Sequence, residues 1–180
     1  MARLSWTQRL YWRYFSKPVS DRGLFQYCIE NRVSSILEVG IGAGDRIRQV
    51  LSLCEAPEGV SQIRYAGVDP FESAADGRAH LPLKAAHRML AEFGVKAHLI
   101  PGEPTNSLSR VAHTVLPSDL LIIDGDWETD TDRGKAIAQW LPRLCHSQSC
   151  IFASEVSGGT LKRYAPPASV CEPATIRKAA

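Results

Sequence analysis

Apolar positions along the 180-residue chain change their spacing several times, and each change marks a new element. Leu24, Phe25, Cys28 and Ile29 recur at helical spacing and predict a helix within Asp21 to Asn31. Ser35 to Val39 then reads as a buried strand that contains one acid, Glu38. Gly40, Gly42 and Gly44 follow at every second position; glycine loses the most backbone entropy on ordering, so such a cluster marks a tight turn or a close ligand approach. Ile47, Val50, Leu51 and Cys54 predict a helix capped by Asp45 and ending before Pro57. Arg64 to Asp69, RYAGVD, is a second strand, closed by Pro70, which favours extended or turn backbone before it. A helix over Leu81 to Phe93 buries Ala86, Leu90 and Phe93 and stops at Gly94. Lys96 to Ile100 is a third strand and Thr105 to Leu116 a further helix. Leu120 to Ile123 is a strand too continuously apolar for a half-exposed edge. Asp130 to Leu144 forms a helix through Ile137, Trp140 and Leu141, and Cys150 to Ala153 is the fifth strand.

Strand and helix therefore alternate five times. That order predicts an α/β fold of three layers around a mostly parallel sheet with right-handed crossovers. Ligands in such sheets bind beyond the carboxyl ends of the strands. The residues at those ends are Gly40 to Gly44, Asp69, Gly102-Glu103, Asp124 to Trp127 and Ser154-Glu155, so acids or glycines terminate all five strands.

Composition narrows the class without naming a chemistry. At 44% hydrophobic, 22% charged and a net charge of +2, the chain is neither disordered nor a general nucleic-acid binder, and its length suits one core. Five cysteines, widely spaced and without a CxxC pair, read as small buried thiols rather than a zinc site or disulfide framework. No apolar run approaches the ~20 residues that cross a bilayer, and no cleavable leader is evident, so a cytoplasmic protein without stable membrane insertion is expected. Residues 1–22 depart from the even charge distribution. Arg3, Arg9, Arg13, Lys17 and Arg22 interleave there with Trp6, Tyr11, Trp12, Tyr14 and Phe15. They are expected to form a basic aromatic helix or lid ahead of a single domain over residues 23–180. The helix could pack on the domain through Leu4, Tyr11 and Phe15, cover a ligand, or lie on a membrane surface.

Two nucleotide-binding patterns compete for the glycine loop. A nicotinamide dinucleotide site needs G-x-G-x-x-G, with a helix N-terminus facing pyrophosphate. Here the third position is Asp45, whose charge would repel that group. An acid two residues before G-x-G-x-G suits a ligand carrying positive charge.

At these residues the chain resembles the class I S-adenosylmethionine-dependent methyltransferases. The resemblance rests on LEVGIGAGD, AGVDPFES and DLLIIDGDW, in that order between about Ser34 and Glu155. The last motif is most similar to small-molecule enzymes whose fourth strand ends in I-D-G-D-H. The resemblance implies a Rossmann-like methyltransferase fold, S-adenosylmethionine as cofactor, and methyl transfer to oxygen or nitrogen of a small molecule. It implies that Glu38 anchors the loop or the cofactor's ammonium, while Gly40, Gly42 and Gly44 admit the methionine part. Asp69 would accept both ribose hydroxyls, since a carboxylate offers two acceptor oxygens. Gly102 and Glu103 would surround the adenine. Asp124, Asp126 and Trp127 would face the substrate as the catalytic segment, with Asp124 also touching the cofactor.

Some relatives hold a divalent cation at this segment, and Asp124, Asp126 and Glu155 offer hard oxygen ligands. Trp127 stands where the likeness expects histidine, however, and Ser154-Glu155 where metal-dependent relatives carry Asp-Asn, so no metal site is assigned. His80, His87, His98, His113 and His146 have no neighbour at ligand spacing and read as surface or satisfied core residues. Methyl transfer needs no covalent enzyme intermediate, so the lack of a catalytic triad does not argue against an enzyme.

The 25 residues after Glu155 include Pro166, Pro167 and Pro173. The resemblance expects a helix and an antiparallel strand pair there, so the C-terminal strands are predicted to be shortened or missing. An exposed sheet edge could then pair two copies into a homodimer. A non-catalytic binding module on the same fold is the alternative function, and a nicotinamide oxidoreductase the third.

Overall fold

The structure is a computed structural model that describes residues 10–12 and 15–171. Helix α1 (Arg22–Glu30) leads into β1 (Ser35–Val39), α2 (Asp45–Leu53), β2 (Arg64–Asp69), α3 (Leu83–Glu92) and β3 (Lys96–Pro101). Helix α4 (Pro104–Thr114), β4 (Ser118–Ile123), α5 (Asp132–Leu144), β5 (Cys145–Ala153), β6 (Lys162–Tyr164) and the single turn α6 (Ala168–Cys171) follow within the described residues. The sheet runs β3-β2-β1-β4-β5-β6, parallel except for β6.

Strand periodicity splits the core into two layers, because successive side chains leave a strand on opposite faces. Ile36, Tyr65, Leu120, Ile122 and Phe152 meet Leu24, Phe25, Ile47, Val50 and Leu90 of α1 to α3 on one face. Leu37, Val39, Val68, Leu121 and Ile151 meet Leu108, Val111, Ile137 and Leu141 of α4 and α5 on the other. Each such side chain, fully buried, contributes about 1.5–3 kcal/mol.

The ends of β1, β2 and β4 lie level because Val39 pairs with both Val68 and Ile123. The ladder then runs one residue further. Gly40 N–H donates to the Val68 carbonyl and Asp124 N–H to that of Val39, each at 2.9 Å, while Ser154 N–H donates to Ile123 at 3.1 Å. Gly40, Asp69, Asp124 and Ser154 thus stand in one row where the strand order reverses between β1 and β4.

Several expectations change in detail. Gly44, with φ 83°, and not Asp45, occupies the cap position of α2, and no side chain caps that helix. Strand β5 begins at Cys145 rather than Cys150. Its polar start is held by side chains, with Ser149 Oγ donating to the Ser118 carbonyl at 2.7 Å and accepting from His146 N–H at 2.8 Å. Beyond Glu155 one short antiparallel strand is present, with Lys162 to Tyr164 pairing against Ile151 to Ala153. Cys28, Cys54, Cys145 and Cys150 are buried, as expected for small apolar thiols. Among the described residues no helix is long and apolar enough to cross a membrane.

Candidate functional site

A cavity of about 730 Å³ opens at the row of strand ends. The glycine loop and Asp69 form its floor, the segment Ala74–His80 one wall, Glu103 and Pro104 another, and Asp124, Asp126 and the loop after β5 the far side. Its volume is of the size that holds a cofactor or small ligand.

Asp69 is the most heavily bonded side chain of the floor and only 1% exposed. Its Oδ2 accepts the Ile41 and Gly42 N–H groups at 2.8 and 3.0 Å, and its Oδ1 accepts Phe71 N–H at 2.7 Å. His80 Nδ1 lies 2.9 Å from the same Oδ1. These four bonds match the roughly four lone-pair sites of a carboxylate. Asp69 therefore fastens the glycine loop to the end of β2, and its last acceptor site is taken by an imidazole. The other His80 nitrogen, Nε2, sits 3.0 Å from Asp76 Oδ1. Burial works against the imidazolium, but the bonds and charges of Asp69 and Asp76 outweigh it and raise the His80 pKa above its ordinary value.

Positive φ explains why this loop carries glycine. Gly42 has φ 58°, and a Cβ there would meet no atom within 4 Å, so its freedom serves the turn and leaves the backbone bare toward the cavity. At Gly40, φ 88°, a Cβ would come within 3.1 Å of Asp124 Cβ, so the glycine also permits the close approach of β1 and β4.

Beneath the loop lies a buried charge cluster. Glu38 is fully buried; its Oε2 accepts Tyr65 O–H at 2.7 Å, and its Oε1 has no hydrogen-bond partner. Burial pushes its carboxyl up to about 8, against the opposing pull of Arg46 and the Tyr65 bond. Arg46 donates from Nε to Asp21 at 3.0 Å and from Nη2 to Asp124 Oδ1 at 3.3 Å. Burial disfavours its charge as well, but Glu38, Asp124 and Asp21 overcome this.

Asp124 is tied on every side. Besides Arg46, its Oδ1 accepts Gly158 N–H at 2.8 Å, its Oδ2 accepts Ser157 O–H at 2.9 Å, and its carbonyl accepts Arg133 Nη2 at 3.1 Å. Ser157 also accepts a hydrogen bond from Arg78, which joins the loop after β2 to the loop after β5. Asp126 has φ 59°; its N–H donates to the Glu155 carbonyl at 3.0 Å, its Oδ1 accepts Thr131 O–H at 3.1 Å, and Arg133 Nε lies 3.5 Å from its Oδ2. Thr131 in turn caps α5 by accepting Gly134 N–H at 3.0 Å. Ser154 Oγ accepts Gly125 N–H at 3.0 Å and so fixes the segment Asp124 to Trp127. Among the described residues no group of three or more His, Cys, Asp or Glu side chains is arranged to hold a metal ion.

The structure brings Gly40, Gly42, Asp69, Glu103, Asp124 and Asp126 to one cavity. It does not bring Glu38, Gly44, Gly102 or Trp127 to its walls. Glu38 lies buried under the loop, where it can support the loop from beneath. A Cβ at Gly44 would stand 2.9 Å from Leu81, and one at Gly102, φ 127°, 2.7 Å from Ser107, so both glycines serve packing. Trp127, expected to face substrate, is instead buried against Tyr164, with ring centroids 4.9 Å apart, because the Asp126 turn sends its ring into the α5 layer. Of the aromatic N-terminus, Trp12 packs on Phe25 at 5.5 Å, and Tyr11, Trp12 and Phe15 are absent from the cavity lining; Trp6 lies outside the described residues.

Sequence reasoning passed over His80, Arg46, Arg78 and Ser157. The signal for His80 was available as Asp76 four residues before it in a loop leaving a strand end. Its second partner, Asp69, becomes evident only once the loop folds back.

No family model matches the chain, and no curated protein matches it. Solved structures do. A Staphylococcus aureus protein carrying the provisional name caffeoyl-CoA O-methyltransferase is 17% identical, with 78% of this chain and 58% of that one covered and a TM-score of 0.54. The O-methyltransferase TomG of Streptomyces achromogenes, involved in tomaymycin synthesis and solved with S-adenosylmethionine, is 18% identical over 78% of this chain and 56% of its own, with a TM-score of 0.53. An rRNA methylase from Streptococcus thermophilus is 15% identical over 77% and 71%, with a TM-score of 0.50. The chain spans little more than half the length of the first two. At these identities the likeness is one of fold: the chain has the α/β, Rossmann-like architecture that these methyltransferases share.

Proposed function

We propose that the protein is an S-adenosylmethionine-dependent methyltransferase acting on a small molecule at oxygen or nitrogen. One observation carries this reading: the glycine loop after β1, the acid at the end of β2, and Asp124 and Asp126 after β4 border a single cavity in a fold shared with such enzymes. The donor set fits the cofactor. Asp69, Asp76, Glu103, Asp124, Asp126 and Glu155 face Arg78, Arg133 and His80 across the cavity, an excess of negative charge that favours a ligand with a sulfonium and an ammonium. The bare backbone at Gly42 would lie along the methionine part, Glu103 would meet the adenine, and Asp69 would receive the ribose.

The cofactor, when bound, supplies a methyl already activated on sulfur. The chain's part is to orient the acceptor, and the braced side chains Asp124, Asp126 and Arg133 are the groups at hand for that. Asp124 accepts hydrogen bonds from Arg46, Ser157 and Gly158, which suits a fixed wall better than a mobile base. The same observation favours the second reading, a module that binds the cofactor without turnover.

A labelled-methyl transfer screen over catechols, phenols, amines and sugars separates the two. Transfer to any class supports the enzyme. Binding of cofactor with no transfer to any of them supports the module, and a lack of cofactor binding overturns both.

A further inference from the structure

His80 is a cavity side chain that holds an acceptor position on Asp69. Three of the four bonds to Asp69 come from backbone N–H groups of the loop and of Phe71, which are part of the fold. The fourth comes from His80, and it faces the cavity. Any hydroxyl entering to bond Asp69 must take that place, since the backbone donors cannot leave without opening the glycine loop.

Local geometry shows that His80 is set there rather than resting there. The imidazole is gripped at both nitrogens by carboxylates, Asp69 at 2.9 Å and Asp76 at 3.0 Å, which favours the doubly protonated ring. The segment that carries it is anchored at both ends. Phe71 N–H is bonded to Asp69, and Leu81 N–H donates to the Gly42 carbonyl at 2.8 Å. Arg78, between these anchors, reaches Ser157 across the cavity. Segment 74–80 thus lies as a strap over the floor, with His80 as its inward contact.

We infer that His80 is a built-in occupant of the hydroxyl subsite at Asp69, and that a ligand's hydroxyls reach this carboxylate by displacing the imidazole. The inference rests on the cofactor reading above, with the ribose as the displacing group. The consequence is an affinity reduced by the fraction of molecules in which His80 is still latched. No covalent step is involved: one hydrogen-bond donor replaces another on Oδ1, and the imidazole remains with Asp76 or turns to water.

The test measures S-adenosylhomocysteine binding by calorimetry to the wild-type chain, His80→Ala and Asp76→Asn, each alongside its melting temperature without ligand. The latch predicts opposite signs. His80→Ala should lower the ligand-free melting temperature yet bind about tenfold tighter, because opening the subsite no longer breaks charge-assisted bonds. Asp76→Asn retains the imidazole and loosens its outer hold, so it should bind tighter by a smaller factor, and it supplies the answer if His80→Ala folds poorly. Binding by wild type with equal or weaker binding by both variants would overturn the latch and leave the cofactor reading standing. Binding by neither wild type nor variants would overturn both, whereas binding by the variants alone would support both.

Discussion

Glu38→Gln should make the protein more stable at neutral pH, although it replaces a buried carboxyl beside Arg46. The wild-type carboxyl is fully buried, and its pKa rises from an ordinary 4.5 to about 8. From about pH 4.5 upward the unfolded chain releases this proton while the folded chain keeps it, so stability falls with pH at about 1.4 kcal/mol per unit until the folded carboxyl also ionises. At pH 7 that loss amounts to about 3 kcal/mol, and above about pH 8 it levels off. Glutamine has nearly the same shape, can still accept the Tyr65 hydroxyl, and does not titrate. Urea unfolding of both proteins at about pH 4, about pH 7 and about pH 8 should therefore give matching stabilities at the acid end and a variant advantage of about 2–3 kcal/mol at neutrality. A variant equal to wild type throughout, or less stable at pH 7, would mean that Glu38 is ionised as the counter-charge of Arg46.

Two further substitutions separate support from contact. Asp69→Asn keeps the shape but lacks the charge and one acceptor oxygen, leaving at least one of the Ile41, Gly42 and Phe71 N–H groups unsatisfied; it should cost about 3 kcal/mol in urea unfolding and abolish S-adenosylhomocysteine binding in calorimetry, and an unaltered stability would remove Asp69 as the loop fastener. Trp127→Phe should change stability by less than about 1.5 kcal/mol, because the ring stays packed on Tyr164 while a buried indole N–H without a hydrogen-bond partner is deleted. Methyl transfer by Trp127→Phe should stay at the wild-type rate in the labelled assay, and a large loss of rate with stability intact would restore Trp127 to the substrate wall.

Periodicity located the elements that are apolar and failed where polar side chains do the holding. Strands β1 and β2 fall at Ser35–Val39 and Arg64–Asp69, as their apolar runs predict, since each is buried between helices. The start of β5 is Cys145-His146-Ser147-Gln148-Ser149, whose place depends on the Ser149, Ser118 and Asp119 contacts made across the sheet, and no local pattern carries those. In the site, residues attached directly to strand ends were legible because topology alone places them: Gly40, Asp69 and Asp124 share a row. Side-chain direction was not. Trp127 follows a positive-φ residue and turns inward, while His80 lies eleven residues beyond β2 and returns only because Leu81 bonds the glycine loop. Arg46 was missed for a similar reason, as its partners Asp21 and Asp124 come from distant parts of the chain.

Whether this cavity takes the cofactor at Asp69 is decided by titrating the intact chain and His80→Ala with S-adenosylhomocysteine in a calorimeter. Saturable binding is expected at one site per chain, abolished when Asp69→Asn is added to the tighter-binding His80→Ala background. Absence of heat from both proteins at millimolar ligand, or undiminished binding after Asp69→Asn, would contradict it.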